Sequence, residues 1–392
     1  MYYSRILENV ILEDLKTFPV IAILGPRQSG KTTLSNHIIT HHLKKPVLYL
    51  DLGRPGDLRK LEDAEWFLSE HRDHFICIDE IQRRPELFPL LRSLCDEWGS
   101  NGHFLILGSA SIDLIRQSSE SLAGRISYHR LRPFTSFELK GDFSQDELLL
   151  KGGFPRSLLN QSIQASQRWR ENFITTFVER DLFQWKSLSP QTMQRLLQML
   201  AHLNGQLLNF SALANSLDVS SVTVRNYIDL LAGAFIIEML PPFLSNAGKR
   251  VSKSPKLYFT DTGLITALKN IQTMSGLLGH PALGALWESY VLHHIRAQFP
   301  MLQVFYYRTS HGAELDFILE YGGKILAVEC KSSLAPNLSK GNYISFEDTK
   351  ARLLLVVAPV NSGWRIREKV FVQSVNEAMI HIADFFQVPL YC

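Results

Sequence analysis

The chain has 392 residues, 45% of them apolar, and a formal net charge of +3. This length favours two or three domains, the composition excludes a disordered or fibrous protein, and the near-neutral charge does not by itself indicate nucleic-acid binding. No stretch approaches the roughly 18 to 20 apolar residues of a membrane helix, and the four cysteines are scattered without a CxxC pair, so we expect a cytoplasmic protein with no membrane partner and no disulfide framework.

The first motif is a glycine-bounded loop, GPRQSGKT at residues 25–32, between an apolar run and a helical stretch. Strand, loop and helix in this order form a P-loop, whose backbone N–H groups surround the β- and γ-phosphates of a nucleotide. We expect Lys31 to contact those phosphates as a positive charge and the Thr32 hydroxyl to bind Mg²⁺. The predicted ATP-binding residues of the loop are Gly25, Pro26, Arg27, Gln28, Ser29, Gly30, Lys31, Thr32 and Thr33.

A second apolar strand, HFICI, runs into Asp79 and Glu80. We expect Asp79 to hold the metal and Glu80 to orient or deprotonate the attacking water; acids that only end a strand for solubility are the alternative. One more strand candidate lies between this strand and the P-loop, and two follow it. Five strands separated by helices predict a mostly parallel, doubly wound sheet, and the extra strand between the two motifs is typical of additional-strand ATPases.

Two further residues receive roles in this domain. Ser109, at the end of the fourth strand, is predicted to sense the γ-phosphate beside Asp79, with a helix cap as the alternative. Arg125 is predicted to stabilise charge on that phosphate, in cis or from a neighbouring subunit of a homo-oligomer. An ordinary surface arginine is the alternative.

The middle of the chain predicts a winged helix, because a helix, a short turn and a capped helix precede strands bounded by Pro241 and Pro242. Val224, Tyr227, Ile228 and Leu231 follow helical spacing, and Ser220 or Ser221 would cap their helix. The predicted DNA contacts are Ser221, Thr223, Arg225 and Asn226 on the recognition helix and Lys249, Arg250, Lys253 and Lys256 in a basic wing. A protein-docking module with a solvated lysine loop is the alternative.

Near the C-terminus, two apolar runs flank Gly322 and Gly323, which indicates a hairpin with a two-residue turn. In this pairing Asp316 faces Glu329, and Glu314 faces Lys331. Like charges that face each other destabilise a sheet unless a positive charge lies between them. The predicted positive charge is a divalent cation.

Upstream of the hairpin, a predicted helix carries Glu288. Helix with Glu, strand with Asp and strand with Glu-x-Lys follow the order of the PD-(D/E)xK nuclease core. Asp316 and Glu329 would bind Mg²⁺ or Mn²⁺, with Glu288 completing the site. Lys331 would position or activate the attacking water. A degenerate domain that only binds its ligand would keep the same residues.

The chain as a whole resembles a group of uncharacterised prokaryotic proteins that join an AAA-like P-loop ATPase to a C-terminal domain of unknown function, number 4143, related to the PD-(D/E)xK nucleases. The resemblance rests on segments such as GPRQSGKTT, ICIDEIQRRPELF, YFTDTGL, LWESYVLHHI and GAELDFIL with AVECKSS. Together with the pattern of helices and strands, it predicts an α/β chain with an ATPase domain at 1–140, a helical and winged-helix domain at 141–270 and a nuclease-like domain at 271–392. It also implies ATP hydrolysis with Mg²⁺ through Lys31, Thr32, Asp79 and Glu80.

Two functions follow as hypotheses. In the first, an Mg²⁺-dependent ATPase controls a DNA-binding winged helix and a nuclease-like domain. In the second, an ATP-switched signalling or scaffold protein docks a protein partner, and its C-terminal domain only binds. The adjacent histidines, His41 with His42 and His293 with His294, point to different helix faces and are interpreted as ordinary residues.

Overall fold

The computed structural model describes residues 2–109, 121–181, 189–244 and 253–391. The chain divides into two compact units, Met1–Pro133 with Gly233–Phe235 and Phe134–Ala232 with Ile236–Cys392. The domain boundary predicted at residue 140 lies seven residues after Pro133, where the first unit ends and the second begins. Apart from Gly233–Phe235, the predicted middle and C-terminal domains both fall within the second unit.

A five-stranded parallel sheet organises the first unit. Its strands are β1 (Val20–Leu24), β2 (Val47–Asp51), β3 (Phe75–Asp79), β4 (Phe104–Gly108) and β5 (Ile126–Arg130). Their order across the sheet is β2-β3-β4-β1-β5, which confirms the predicted parallel α/β fold. The strand inserted between β1 and β3 is β4, however, and β2 lies at the edge of the sheet.

Helices cover this sheet so that both of its faces are buried. They are α1 (Leu7–Asp14), α2 (Lys31–His42), α3 (Pro55–Lys60), α4 (Ala64–Ser69) and α5 (Leu87–Trp98). Val20 and Ala22 of β1 pack into one apolar cluster, and the alternating residues Ile21 and Ile23 pack into another. Because β1 is buried on both sides, ligands can reach the strands only at their ends, which is where open parallel sheets bind them.

The second unit begins with helices and a small antiparallel sheet. Its first elements are α6 (Gln145–Lys151), α7 (Pro155–Leu158), α8 (Ile163–Thr176), α9 (Pro190–His202), α10 (Phe210–Leu217), α11 (Ser221–Gly233), β6 (Ile237–Leu240) and β7 (Lys256–Phe259). The backbone N–H of Thr223 donates to Ser220 Oγ at 3.0 Å, so Ser220 caps α11. The apolar positions predicted on that helix are all buried. Strands β6 and β7 pair antiparallel.

A mixed six-stranded sheet with helices completes the second unit. Its helices are α12 (Thr262–Leu268), α13 (Met274–Leu278), α14 (Leu283–Gln298), α15 (Lys340–Thr349) and α16 (Val375–Phe386). The strands are β8 (Gln303–Arg308), β9 (Glu314–Tyr321), β10 (Lys324–Cys330), β11 (Leu354–Val357), β12 (Trp364–Arg367) and β13 (Val370–Gln373), in the order β12-β13-β11-β10-β9-β8. Across the described residues of both units, no helix has the length and apolar character needed to cross a membrane.

The predicted hairpin is formed by β9 and β10. Gly322 and Gly323 have φ angles of +55° and +72°, a backbone region that glycine enters without a steric penalty. The ladder runs from the pair Tyr321 and Lys324 to the pair Phe317 and Val328, which is the predicted register. It stops there, one pair before Asp316 and Glu329.

Candidate functional site

The P-loop connects the carboxyl end of β1 to α2, and its two glycines are required by the backbone. A Cβ atom at Gly25 would lie 2.3 Å from the carbonyl oxygen of Leu131, and Gly30 has a φ of +99° at the start of α2. Ser29 is buried, whereas Arg27, Gln28, Thr32 and Thr33 are exposed. The loop therefore keeps a rigid base and an accessible outer surface.

Lys31 lies inside this loop. Its side-chain Nζ donates hydrogen bonds to the carbonyl oxygens of Gly25 and Pro26, both at 2.9 Å. Burial lowers the pKa of Lys31 to about 8, although the charges of Glu80 and Asp79 act in the opposite direction. An ammonium group held in this position gives the loop the positive charge that a bound phosphate would need.

Asp79, at the end of β3, connects the two predicted motifs. Its Oδ2 accepts hydrogen bonds from the Thr32 hydroxyl at 2.9 Å and from the Tyr49 hydroxyl at 2.8 Å. Its Oδ1 accepts from the backbone N–H of Glu80 at 2.8 Å. A hydroxyl and a carboxylate in direct contact are oxygen ligands of the kind that Mg²⁺ prefers, so the residues present fit that metal.

Glu80 follows in the left-handed region, with a φ of 58°. It borders a cavity of about 460 Å³ that Thr32 and Asp79 also line. The amide of Gln82 donates both to Glu80 and to Ser109 Oγ, the latter at 3.0 Å. Ser109 follows β4, the strand between β1 and β3, so it lies at the same edge of the sheet as Asp79.

Tyr49, Gln82 and Asp51 at this edge were not predicted. Asp51 lines the same cavity and pairs directly with Asp79 across neighbouring strands. A signal for Asp51 was present in the sequence, because it ends an apolar strand as Asp79 does. Tyr49 and Gln82 carry no motif, so only the sheet order and the tight turn after β3 bring them to the site.

The structure corrects the position expected for Arg125. Arg125 precedes β5, whereas Arg130 at the other end of β5 lies beside Leu24, the last residue before the P-loop. At about 3.3 Å per residue, Arg125 is roughly 17 Å from the P-loop edge of the sheet. Its guanidinium bonds instead to Asp96 Oδ1 at 2.6 Å. A role in cis is therefore wrong, and only the role in trans stays a prediction.

The acids of the C-terminal hairpin lie at an irregular point of β9. In the pairing with β8, Phe305 lies opposite Ile318 but Tyr307 lies opposite Leu315, so β9 contains one extra residue between them. This β-bulge re-aims the side chain of Asp316. Asp316 Oδ2 accepts the backbone N–H of Cys330 at 2.7 Å and thereby ends the hairpin ladder.

The other members of the predicted metal site surround Asp316. Lys331 Nζ contacts Glu329 Oε1 at 2.7 Å, and the second oxygen of Glu329 is buried without a hydrogen-bond partner among the described residues. Glu288, on α14, accepts a hydrogen bond from the Tyr258 hydroxyl at 2.7 Å. Burial, followed by the charge of Asp316, raises the pKa of both Glu288 and Glu329.

Lys256 supplies the positive charge that the opposed acids require. It was predicted as an exposed wing residue, but it lies in β7 with only 2% of its surface exposed. Its ammonium forms an ion pair with Glu314 and lies 3.8 Å from Asp316 Oδ1. Burial alone would lower the pKa of Lys256, but Asp316, Glu288 and Glu314 raise it. The expectation of a DNA contact at this position is corrected for that reason.

Three family models match the chain. The model described as "AAA domain" matches residues 17–140, and those of the domains of unknown function DUF8612 and DUF4143 match residues 142–275 and 283–377. The uncharacterized proteins Rv2008c of Mycobacterium tuberculosis and Mb2031c of Mycobacterium bovis are each 41% identical over 92% of this chain and 81% of their own length. The chain belongs to this uncharacterised family of AAA-domain proteins with a C-terminal DUF4143 domain. The AAA domain supports ATP binding and hydrolysis, with Mg²⁺ as the usual metal.

More distant similarities are weaker. The uncharacterized protein MJ1637 of Methanocaldococcus jannaschii is 24% identical over 70% of this chain and 67% of its own length. A STAND protein of Pyrococcus horikoshii with a tetratricopeptide repeat sensor has a TM-score of 0.29 and 12% identity, over 76% of this chain and 46% of that one. The structure of Drosophila ORC bound to AT-rich DNA and Cdc6 has a TM-score of 0.25 and 14% identity, over 67% of this chain and 89% of that chain. Scores this low support no inference about function.

The remaining residues predicted to contact DNA in this AAA-domain protein lie mostly on the surface. Ser221, Arg225 and Asn226 of α11 are exposed, and Thr223 is half-buried. Arg225 lies over the ring of Phe210, with its guanidinium carbon 4.5 Å from the ring centre. Lys253 is exposed, whereas Lys249 and Arg250 lie outside the described residues.

We predict that Lys256→Met destabilises the protein more at pH 8 than at pH 5. Burial raises the pKa of Asp316, like those of Glu288 and Glu329. The folded state therefore becomes less stable relative to the unfolded state as the pH rises above the ordinary carboxyl pKa, and this loss disappears as the pH falls. Removal of the ammonium raises the pKa values of these acids further, so at pH 8 the folded protein must keep carboxyls protonated that are ionised in the unfolded chain. The free energy of unfolding should therefore fall by about 3 to 5 kcal/mol at pH 8.

Urea unfolding at both pH values measures this difference. Lys253→Met, which removes an exposed lysine, is the matched control and should change stability by less than about 0.5 kcal/mol. An equal loss for Lys256→Met at both pH values would contradict the proposed charge compensation.

Proposed function

We propose that this protein is an Mg²⁺-dependent ATPase whose nucleotide state controls DNA binding by its middle region and the activity of its C-terminal domain. The observation that supports it best is the hydrogen bond from Thr32 to Asp79, with Glu80 next in the chain. This contact brings a P-loop hydroxyl, a metal-binding carboxylate and a candidate base to one edge of the sheet. The AAA-domain match over the same residues supports the ATP-binding and hydrolysing part of the proposal.

Each residue of the ATP site has a distinct role in this proposal. Lys31 neutralises phosphate charge, and Thr32 with Asp79 would hold Mg²⁺, which supplies further charge neutralisation at the phosphates. Glu80 orients the attacking water and accepts its proton, while Gln82 holds Glu80 and Ser109 together. The cavity beside Thr32 and Glu80 leaves room for the nucleotide's reacting end. Arg125 would act on a neighbouring subunit.

We predict that Glu80→Gln lowers the rate of ATP hydrolysis by about 10²- to 10⁴-fold and retains ATP binding. The amide keeps the size of the side chain but cannot accept the proton of the attacking water. Lys31→Ala should instead lose binding and hydrolysis together. Phosphate release and calorimetric ATP titration separate the two effects. Glu97→Gln, which changes an exposed acid of α5, is the control, and normal turnover by Glu80→Gln would contradict the assignment.

DNA binding is proposed for the surface formed by the start of α11. Three helices followed by an antiparallel strand pair are the order of elements in winged-helix domains, and Ser221, Arg225 and Asn226 are exposed on the helix that would enter the groove. Of the basic residues predicted in the wing, Lys253 is exposed and is proposed to contact the phosphate backbone. Because the net charge of the whole chain is only +3, the attraction to DNA has to come from this group of basic residues and not from the overall charge.

We predict that Arg225→Ala weakens binding to duplex DNA about tenfold and reduces the slope of log affinity against log salt by about 1, because one phosphate contact is lost. Fluorescence anisotropy at several salt concentrations measures both quantities. Arg168→Ala, which removes an exposed arginine of α8, should bind as the wild type does. Equal affinity for the two variants would contradict a recognition role for α11.

Two functions remain for the C-terminal domain. In the first, Asp316 and Glu329 hold Mg²⁺ or Mn²⁺ for DNA cleavage, with Lys331 beside the attacking water and Glu288 behind the site. The partnerless oxygen of Glu329 and the oxygen-only ligands favour this function. In the second, the domain binds without cleaving. Lys256 favours that function, because its ammonium already neutralises part of the acidic charge. Among the described residues, the oxygens of Glu288, Asp316 and Glu329 also do not all lie within 4.8 Å of one another.

We predict for the cleaving form that Asp316→Asn abolishes Mg²⁺- or Mn²⁺-dependent cleavage at unchanged DNA affinity, because one oxygen ligand loses its charge. Linear, circular and single-stranded DNA are incubated with each metal, with and without ATP. Glu320→Gln, farther along β9, is the control. Cleavage by Asp316→Asn at the wild-type rate would contradict the site, and wild-type protein that hydrolyses ATP without cutting any DNA would contradict the cleaving form and leave a binding or structural role.

A further inference from the structure

A second cluster of ligand atoms lies in the ATPase unit, between α1 and α2. It consists of Glu8, His37 and His42, whose carboxylate and imidazole atoms lie within 4.8 Å of one another. Among the described residues, this is the one set of three or more histidine, cysteine, aspartate or glutamate side chains with that proximity. None of its members belongs to the P-loop or to the acids at the end of β3.

The distances within the cluster match those between ligands of one metal ion. Glu8 Oε1 lies 3.1 Å from His42 Nε2 and 3.3 Å from His37 Nε2. Bonds of about 2.0 to 2.1 Å in a tetrahedral arrangement separate two ligand atoms by roughly 3.3 Å. Glu8 Oε1 therefore already lies at ligand spacing from both imidazoles, and the three ligand atoms lie within the 4.8 Å of one another from which side-chain rotation can bring them to a common ion.

The surroundings of Glu8 fix the direction of its carboxylate. Glu8 Oε2 accepts hydrogen bonds from the Tyr2 hydroxyl at 2.9 Å and from Ser4 Oγ at 3.1 Å, which leaves Oε1 to face the histidines. The ring of Tyr2 also stacks on His37, with ring centres 3.8 Å apart. Outer contacts that hold ligands in one orientation are a regular feature of metal sites.

The ionisation of Glu8 agrees with this geometry. Burial would raise the pKa of Glu8, but hydrogen bonds from Tyr2, Ser4 and His42 together lower it. His42 is exposed, which gives an ion access from solvent.

We propose that Glu8, His37 and His42 form a binding site for Zn²⁺. Two imidazoles and one carboxylate are a ligand set typical of zinc with a fourth position left for water, and oxygen-seeking Mg²⁺ is disfavoured by the two nitrogen ligands. The ion would join α1 to the C-terminal half of α2, the helix whose first two residues are Lys31 and Thr32. Zinc would thereby stabilise the helix that holds the nucleotide.

The test uses the full chain without nucleotide, after EDTA treatment and dialysis. Zn²⁺ is titrated in equilibrium dialysis with metal analysis, and Co²⁺ replaces it for visible spectroscopy, because tetrahedral cobalt absorbs strongly. We expect about one ion per chain, a tetrahedral Co²⁺ spectrum and a raised melting temperature with zinc. His42→Ala and Glu8→Gln should weaken zinc binding by at least about 100-fold.

His41→Ala is the matched control. His41 neighbours His42 and is also exposed. Its ring stacks on that of His37 and its Nδ1 contacts the His37 backbone oxygen, but it supplies no ligand atom to the cluster. This variant should bind zinc like the wild type. Circular dichroism confirms that each variant is folded. Wild-type protein that binds no zinc, or folded His42→Ala that binds it as tightly as His41→Ala does, would overturn the proposal.

Discussion

The hydrogen bond between Thr32 and Asp79 is the contact on which the ATP site depends. It joins the start of α2 to the end of β3, although β1, the strand that leads into α2 through the P-loop, is separated from β3 by β4 in the sheet. The contact forms only because all strands run in the same direction and end at one edge. Tyr49 donates to the same oxygen of Asp79, so β2 also takes part in holding the carboxylate in place.

The C-terminal cluster of acids depends on charge compensation by neighbouring lysines. The bulge in β9 turns Asp316 toward Cys330, and buried carboxylates of like charge accumulate around it. Lys256 and Lys331 lie against these acids and reduce the cost of burying them. Because Lys256 comes from the β6–β7 pair, this strand pair supplies a positive charge to the acids of the six-stranded sheet.

Features that depend on neighbouring residues could be predicted from the sequence. The P-loop context, the capped α11 and the β9–β10 turn each follow from a few adjacent side chains. The burial of Lys256 could not be predicted, because four lysines and arginines without an acid are typical of a surface loop. Only the folded structure brings Glu314 and Asp316, which are distant in sequence, to its ammonium. The distance of Arg125 from the P-loop could have been predicted from the sequence, because a residue that precedes a parallel strand lies at the opposite edge of the sheet from a residue that follows one. Glu8, His37 and His42 have no common spacing, and only helix packing brings them together.

The central claim is that the nucleotide state controls DNA binding. The most direct measurement is the affinity of the wild-type protein for duplex DNA with Mg²⁺ and either ADP or a non-hydrolysable ATP analogue, at one fixed salt concentration. The account predicts that the two affinities differ by at least about fivefold, and that Lys31→Ala abolishes the difference while it still binds DNA. Equal affinities in the two nucleotide states, with both nucleotides shown to be bound, would contradict it.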